Sequence, residues 1–210
     1  MAILGSLDRS DCPDACPDVH GGTTGRVQAL LAGLAASLRA GETYLEIGCL
    51  YGKSLVPAAR AAPSGVEVVA CDKFCGGWGG SGDPVVDNDR ERFYATLATY
   101  GLSDRVRVLE GDFHDTLIGP AAPRTVGACF YDADHTEEST ADALRLLLPV
   151  TIPGAVIVVD DWSASHVQNG AASAIRQGGY TLVALRPEDG HTDRDLWWRG
   201  IGILRRDDTP

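Results

Sequence analysis

The sequence predicts one α/β domain in which a mostly parallel sheet of seven strands is covered by helices on both faces. Two observations support this prediction. Short apolar runs of strand length alternate with segments of helical periodicity along almost the whole chain. The length of 210 residues also suits one ordinary domain with a single core.

The chain is predicted to divide into an irregular leader, residues 1–22, and a folded domain, residues 23–210. Prolines and glycines predict turns in the leader. Thr23 or Thr24 can cap the first helix, whose apolar residues recur at helical spacing as far as Leu38. We expect this helix to end near Gly41.

Seven apolar or β-prone runs have the length of strands. They are residues 43–47, 66–71, 106–110, 128–131, 155–159, 180–185 and 196–204. The predicted helices between them are residues 54–62, 89–100, 141–148 and 167–177. A loop joins the last two strands, which predicts an antiparallel pair at the C-terminal edge. Because ligands of such sheets bind at the carboxyl ends of the strands, the residues that follow each strand are the functional candidates.

The composition excludes two classes of partner. A net charge of −11 at pH 7 opposes binding to nucleic acid, which requires clustered Lys and Arg. No stretch approaches the roughly 20 apolar residues of a membrane span, and the first residues lack the basic and apolar parts of a signal peptide. We therefore expect a cytoplasmic protein that binds neither nucleic acid nor a membrane.

The cysteines favour free thiols over a metal site. Cys12 and Cys16 form one closely spaced pair, and Cys71 and Cys75 form a second. Their spacing does not match the paired knuckles of structural zinc sites. Reduced thiols in a reducing compartment are the simpler interpretation of all six cysteines.

Residues 46–54 connect the first strand to its helix and contain Gly48 and Gly52. Glycines let the backbone approach a ligand closely at a helix N-terminus. The spacing matches neither the phosphate-binding pattern GxxxxGK[ST] nor the dinucleotide pattern GxGxxG. A tight turn without a ligand is the structural alternative.

The next two strand ends offer groups that a nucleoside needs. Asp72 ends the second strand, where a carboxylate can accept both hydroxyls of a ribose held over the first loop. Its alternative role is a helix cap. Asp112, Phe113 and His114 follow the third strand and can offer an aromatic face and backbone groups to an adenine ring.

Carboxylates cluster after the fourth and fifth strands. Asp132 and Asp134 follow the fourth strand, and Asp160 and Asp161 follow the fifth. Such groups repel one another, and a bound divalent cation commonly offsets this repulsion. Asp132, Asp160 and Asp161 offer oxygen ligands that suit Mg²⁺. His135 can take a proton from a hydroxyl near neutral pH. Strand-end caps and a surface histidine are the alternative interpretations.

Together these motifs resemble the class I S-adenosylmethionine-dependent methyltransferases. The nearest branch is the small-molecule O-methyltransferases similar to the catechol, caffeoyl-CoA and macrolide- or aminocoumarin-sugar enzymes. The resemblance runs from about residue 24 to the end, and its motifs are residues 45–48, 52–54, 72, 111–113, 131–135, 153–155 and 160–162. It implies a Rossmann-like methyltransferase fold, S-adenosylmethionine as the cofactor and a hydroxyl of a small molecule as the methyl acceptor.

The resemblance also implies roles for individual residues, with Ser54 on the methionine carboxylate of the cofactor and Asp72 on its ribose. The implied cofactor residues are Glu46, Gly48, Gly52, Ser54, Asp72, Asp112, Phe113, His114 and Asp132. The implied metal ligands are Asp132, Asp160 and Asp161. Catechol-type enzymes place a lysine base three residues after the first metal aspartate, where this chain has His135. Asp134 is the alternative base, as in the sugar-modifying relatives.

The sequence identifies neither the methyl acceptor nor the oligomeric state. The loop from Cys75 to Pro84 and the segment at 187–198 are expected to shape the acceptor pocket. Its candidate walls are the four tryptophans, Trp78, Trp162, Trp197 and Trp198. An exposed C-terminal edge strand is compatible with a homodimer. Two other functions remain to be tested, a nicotinamide-dependent dehydrogenase and a cofactor-binding regulatory or structural protein without catalysis.

Overall fold

The structure is a computed structural model that describes residues 12–75, 89–186 and 197–208. This part of the chain contains six helices and seven strands. In chain order they are α1 (Gly25–Ala36), β1 (Thr43–Ile47), α2 (Leu55–Ala61), β2 (Glu67–Asp72), α3 (Asp89–Thr99), β3 (Val106–Glu110), α4 (Phe113–Thr116), β4 (Val126–Tyr131), α5 (Glu137–Leu147), β5 (Thr151–Val159), α6 (Ser165–Gln177), β6 (Tyr180–Arg186) and β7 (Ile201–Arg206).

The seven strands form one sheet in the order β3-β2-β1-β4-β5-β7-β6. Strands β1 to β5 are parallel to one another, whereas β7 pairs antiparallel with both β5 and β6. The predicted α/β class, the mostly parallel sheet and the antiparallel pair at the C-terminal edge are confirmed. The strand order reverses between β1 and β4, and this position opens a crevice at the carboxyl ends of the two strands.

Helices cover both faces of the sheet and enclose an apolar layer on each side. Alternate residues of β1 point to opposite faces, so Tyr44 joins one buried cluster and Leu45 the other. Helices α1, α2 and α3 complete the first cluster, to which they contribute Leu31, Leu55 and Phe93. Helices α4, α5 and α6 complete the second with Phe113, Leu144 and Val167. All five residues of β1 are buried, as a central parallel strand requires.

Capping residues set the helix boundaries where periodicity alone was ambiguous. Thr24, and not Thr23, caps α1, because its side chain accepts a hydrogen bond from the Val27 amide. Helix α5 begins four residues before its predicted start at Ala141. Its first turn is polar, and the Thr136 side chain caps it by accepting a hydrogen bond from the Ser139 amide.

The described end of the leader packs against the folded domain. Cys16 and Val19 are buried in the same cluster as α1. The Asp14 carboxylate lies 2.7 Å from the Lys53 ammonium group and also accepts a 2.9 Å hydrogen bond from the Gln28 side chain. These contacts attach the leader to the loop after β1. The domain boundary at residue 22 stays a prediction.

Two features of the surface bear on the expected partners. None of the helices in the described ranges combines the length and apolar character that a membrane crossing requires. Edge strand β6 exposes Leu182, Val183 and Leu185 to solvent. The homodimer stays a prediction.

Candidate active site

A cavity of about 1170 Å³ lies at the carboxyl ends of β1 to β5. Its walls come from the loops after these strands and from residues 20–23, where the leader meets the folded domain. The cavity therefore occupies the crevice that the strand order creates between β1 and β4. Most of the residues expected to carry function meet there.

Asp72 fixes the loop that follows β1. Its Oδ2 accepts hydrogen bonds from the amides of Cys49 and Leu50 at 2.7 and 2.9 Å, and its Oδ1 accepts one from the Phe74 amide at 2.7 Å. A carboxylate offers about four acceptor positions. Three of them therefore hold the backbone, and the remaining capacity faces the cavity, which Asp72 lines.

The loop after β1 approaches the loop after β4 so closely that position 48 requires glycine. Gly48 has a φ of 85°, and a Cβ at this position would lie 2.0 Å from the carbonyl oxygen of Asp132. Gly52 does not line the cavity and faces the Phe93 ring, from which an added Cβ would lie 3.6 Å. Of the two glycines, Gly48 alone contributes directly to the cavity wall.

Glu46 lies beneath the loop and not in the cavity. Its side chain is completely buried and accepts hydrogen bonds from the Ser54 hydroxyl at 2.7 Å and the Tyr44 hydroxyl at 3.2 Å. Burial raises the pKa of the Glu46 carboxyl to about 8, although both hydrogen bonds oppose this shift. Ser54 does line the cavity, but its hydroxyl proton is directed to Glu46.

An aromatic pair forms the wall after β3. The rings of Phe113 and His114 stack with their centroids 4.0 Å apart. His114 Nδ1 lies 2.7 Å from Asp112 Oδ1, and His114 Nε2 lies 3.4 Å from Asp142 Oδ2. The hydrogen bond to Asp112 raises the pKa of His114. Asp112, Phe113 and His114 all line the cavity, as expected for the adenine site.

The strand ends of β4 and β5 bring Asp132 and Asp160 together. The Asp132 amide donates to the Ile47 carbonyl at 2.8 Å, and the Asp160 amide donates to the Tyr131 carbonyl at 3.0 Å, so three neighbouring strands fix the two aspartates. One ligand atom from each of Asp132, His135 and Asp160 lies within 4.8 Å of the others. Within the described ranges this is the one group of three or more such side chains.

Asp161 does not belong to that group of three. Its Oδ2 lies 3.1 Å from Arg199 Nη1 and 3.7 Å from His135 Nδ1. The residue has a φ of 53°, an uncommon value for an aspartate, and the turn that follows it is held by a hydrogen bond from the Trp162 amide to the Gly200 carbonyl. Asp161 lines the same cavity as Asp132 and Asp160, and its role as a metal ligand stays a prediction.

A positive charge beside Asp132 and Asp160 would stabilise their carboxylates. Burial raises the pKa of both Asp132 and Asp160, and neighbouring carboxylate charges raise it further. Burial lowers the pKa of His135, which leaves its imidazole neutral near neutral pH. Asp160 Oδ1 and His135 Nε2 are buried without a hydrogen-bond partner among the described residues. Two carboxylates and a neutral imidazole with such unused atoms fit a divalent cation.

Both candidate bases reach the cavity, in different surroundings. His135 is partly buried, with a side-chain exposure of 23%. Asp134 is exposed, and its carboxylate oxygens lie 3.3 Å from the Thr136 amide and the Thr136 hydroxyl. Asp134 therefore also stabilises the turn before α5.

The sequence analysis missed several residues of the cavity wall. They are residues 20–23, where the leader meets the folded domain, together with Lys53 and Arg199. The four tryptophans expected to form the walls of the acceptor pocket have different locations. Trp198 lines the cavity, Trp162 packs against Gly202, Trp197 is buried in the core, and Trp78 lies outside the described residues. All six cysteines are free thiols, and none belongs to a metal-binding group in the described part of the chain.

Comparisons with known proteins identify the family. A family profile described as a methyltransferase domain matches residues 45–162, which is more than half of the chain. A stretch of 74 residues is 40% identical to 8-demethyl-8-(2,3-dimethoxy-alpha-L-rhamnosyl)-tetracenomycin-C 4'-O-methyltransferase from Streptomyces olivaceus. That match covers 35% of this chain and only 28% of the relative.

Solved structures share the fold along the whole chain. An O-methyltransferase from Bacillus cereus, in complex with SAH, matches with a TM-score of 0.66 and 18% identity over 98% of this chain and 89% of that one. TomG from Streptomyces achromogenes, an O-methyltransferase of tomaymycin synthesis solved with SAM, matches with a TM-score of 0.64 and 20% identity over 99% and 90%. The resemblance stated from the motifs is confirmed, and the chain belongs to the methyltransferase-domain family.

Proposed function

We propose that this protein transfers a methyl group from S-adenosylmethionine to a hydroxyl oxygen of a small molecule, with the help of a divalent cation. The observation that carries the proposal is one continuous cavity. A loop anchored by Asp72 and a stacked aromatic pair form one part of its wall, and the acidic group of Asp132 and Asp160 forms another. A nucleoside site and a chemically reactive site thus open into the same space.

The first part of the wall fits the cofactor. The Asp72 carboxylate has one acceptor position left for a ribose hydroxyl after it has bound the three amides. The stacked rings of Phe113 and His114 offer a flat surface for a purine. A volume of about 1170 Å³ exceeds the 300–1,000 Å³ typical of small-molecule pockets and leaves room for an acceptor next to the cofactor.

The acidic part fits a cation and an acceptor hydroxyl. When bound, S-adenosylmethionine supplies an electrophilic methyl group, and a divalent cation lowers the pKa of a hydroxyl that it touches. The buried oxygen of Asp160 and the Asp132 carboxylate would hold the cation. Asp134 and His135 are both placed to remove the hydroxyl proton, since both line the cavity.

The residues of the chain contribute mainly by positioning. The Asp72 carboxylate holds the loop at Cys49 and Leu50, so the cofactor site is formed before the ligand arrives. The close contact between Gly48 and Asp132 fixes the distance between that loop and the acidic group. The reacting oxygen and the methyl carbon would therefore meet in a geometry that the backbone sets.

Methyl transfer can be tested without knowing the natural acceptor. The protein is incubated with S-adenosylmethionine carrying a labelled methyl group and with a panel of hydroxylated small molecules, including a rhamnosylated tetracenomycin. We expect label in the product of at least one acceptor, and a loss of transfer when a chelator removes divalent cations. The tetracenomycin belongs in the panel because the Streptomyces olivaceus relative is named as an O-methyltransferase of a rhamnosyl-tetracenomycin.

The outcomes separate the alternatives. Transfer that persists in chelator would remove the cation from the mechanism but leave the methyltransferase intact. Binding of the cofactor without transfer to any acceptor would favour a regulatory or structural protein. Binding of NADH in place of S-adenosylmethionine, measured by fluorescence titration, would favour a dehydrogenase.

A further inference from the structure

Tyr131 ends β4 directly before the loop, residues 132–135, that carries both candidate bases. It is completely buried, and its side chain belongs to the apolar cluster that helices α4 to α6 complete. It does not line the cavity, whereas Asp134 and His135 do. A phenol hydroxyl is thus held in the core, directly behind the residues that are placed to remove the proton of the acceptor.

The Tyr131 hydroxyl holds this loop from the inside. It donates a hydrogen bond to the Asp134 carbonyl and lies 2.9 Å from the Ser139 hydroxyl of α5. A phenol has a single proton, and since Asp134 receives it, the Ser139 hydroxyl donates to the phenol oxygen. One buried oxygen therefore connects the loop to β4 and to α5.

The bond to Asp134 fixes the backbone of both candidate bases. The Asp134 carbonyl and the His135 amide belong to one planar peptide group. A hydrogen bond to this carbonyl therefore sets the plane from which both side chains leave the chain. The ends of the loop are held separately, by the hydrogen bond of the Asp132 amide to β1 and by the Thr136 cap of α5. The Tyr131 hydroxyl adds a hydrogen bond between these two ends.

The Tyr131 ring makes a separate contact with the cofactor side of the cavity. It meets the Phe113 ring edge to face, with the centroids 6.0 Å apart and the planes at 85°. Phe113 is one ring of the stacked pair that forms the proposed adenine wall. The ring of Tyr131 thus supports the cofactor wall, and its hydroxyl supports the loop. Phenylalanine at this position would keep the first contact and remove the second.

We propose that Tyr131 is a positioning residue for methyl transfer, whose hydroxyl orients the loop that carries Asp134 and His135. This rests on the proposed function, which assigns proton removal to that loop. A misplacement of about 1 Å can cost on the order of 100-fold in rate, so one hydrogen bond behind the loop can control turnover. Cofactor binding does not depend on this hydrogen bond.

Tyr131→Phe tests the proposal, because it removes the hydroxyl and keeps the ring. With an acceptor that the panel identifies, we expect kcat to fall by about tenfold or more, with the KM for S-adenosylmethionine unchanged. Calorimetry should show an unchanged affinity for S-adenosylhomocysteine. Relaxation of ¹⁵N nuclei should show the order parameters of the Asp134 and His135 amides falling from about 0.85 to below about 0.6.

Tyr180→Phe is the matched control. Tyr180 is buried in the same apolar cluster, and its hydroxyl donates to the Leu144 carbonyl at 2.9 Å. Its replacement removes the same group from the same core, so thermal denaturation should show a similar loss of stability. It should leave kcat and the order parameters of the loop unchanged.

Ser139→Ala serves as the second variant if Tyr131→Phe does not fold. It removes the hydroxyl that donates to the phenol oxygen and keeps Tyr131 itself. We expect kcat and the order parameters of the Asp134 and His135 amides to fall in this variant too. Circular dichroism checks the folding of each variant.

Three results would overturn the proposal. They are an unchanged kcat or unchanged order parameters in folded Tyr131→Phe, an equal fall of kcat in Tyr180→Phe, and a weaker affinity of Tyr131→Phe for S-adenosylhomocysteine. The last result would mean that the hydroxyl serves the cofactor wall. The NMR measurement needs no acceptor, so it distinguishes failure of this proposal from failure of the proposed function. If the unchanged protein methylates no acceptor, the proposed function fails, whereas unchanged order parameters refute the role of the hydroxyl in either case.

Discussion

The α-carbon of Gly48 lies so close to the backbone of Asp132 that an added methyl group would sit 2.0 Å from the Asp132 carbonyl oxygen. The Asp132 amide in turn donates to the carbonyl of Ile47, the residue before Gly48. One contact therefore joins the loop after β1 to the loop that carries the first acidic residue. The contact connects the two halves of the cavity, and a change in it should affect both.

Gly48→Ala should disrupt the cavity, and Gly41→Ala should not. Both glycines have a φ near 85°, at 85° and 87°, so both substitutions carry a similar backbone cost of about 1–2 kcal/mol. An added Cβ meets the Asp132 carbonyl at Gly48 but finds no atom within 4 Å at Gly41. We expect the affinity for S-adenosylhomocysteine to fall at least tenfold in Gly48→Ala alone, measured by calorimetry. Equal affinities in the two variants would contradict the role of the contact.

Asp72→Asn should weaken both the loop and cofactor binding. The amide group of asparagine has one acceptor oxygen, so one or more of the Cys49, Leu50 and Phe74 amides loses its partner. We expect the free energy of unfolding to fall by about 1–3 kcal/mol, measured by urea denaturation. S-adenosylhomocysteine should bind at least tenfold more weakly.

Glu110→Gln is the control for that experiment. Glu110 is the register partner of Asp72 in β3, but its carboxylate binds Arg90 and does not line the cavity. Its replacement should leave the affinity unchanged. A similar loss in both variants would mean that strand-end charge, and not the hydrogen bonds of Asp72, supports binding.

Glu46→Gln should remove a pH dependence of stability. The pKa of the Glu46 carboxyl is about 8 in the folded protein, against 4.5 for an unperturbed glutamate. Between these values the unfolded state binds fewer protons, so this group's contribution to stability is complete below pH 4.5 and is lost as the pH rises towards 8. The slope for one such group is about 1.4 kcal/mol for each pH unit.

Urea unfolding at several pH values measures this dependence as the difference between the variant and the unchanged protein. We expect Glu46→Gln to gain stability relative to the unchanged protein as the pH rises from 5 to 8. Glu67→Gln is the control, because the Arg107 hydrogen bond lowers the pKa of Glu67 from 4.5, so its contribution is lost only as the pH falls below about 4.5 and its difference should stay constant from pH 5 to 8. A difference for Glu46→Gln that does not vary with pH would refute its burial as a protonated acid.

His114 should titrate above the ordinary value for histidine. The hydrogen bond to Asp112 raises the pKa of the His114 ring, with a smaller contribution from Asp142. We expect Asp112→Asn to lower this pKa, as measured by NMR of the ring carbons and nitrogens. Asp115→Asn, next to the same ring in sequence, should leave it unchanged. The same pKa in all three proteins would exclude the Asp112 contact in solution.

Apolar periodicity predicted the fold because the sheet is buried on both faces. A fully buried run such as Thr43–Ile47 is visible from composition alone. The start of α5 was not predicted, because its first turn is polar and depends on the Thr136 cap. Boundaries that rest on a single hydrogen bond carry little signal in a hydrophobicity pattern.

The site was predictable where the residues follow a strand directly. Asp72, Asp132 and Asp160 reach the cavity because parallel strands end on the same edge. The ion pair between Asp161 and Arg199 was not predictable, since Arg199 comes from a distant turn beside β7. The leader residues that line the cavity were likewise missed, because irregular segments have no period that places them.

The central claim is that a sulfonium nucleotide binds across the loops anchored by Asp72. Isothermal calorimetry with S-adenosylhomocysteine tests it most directly, since it requires neither the acceptor nor the cation. We predict saturable binding of one molecule per chain that is at least tenfold weaker in Asp72→Asn and unchanged in Glu110→Gln. An absence of heat at millimolar ligand, with the protein shown to be folded, would contradict the account.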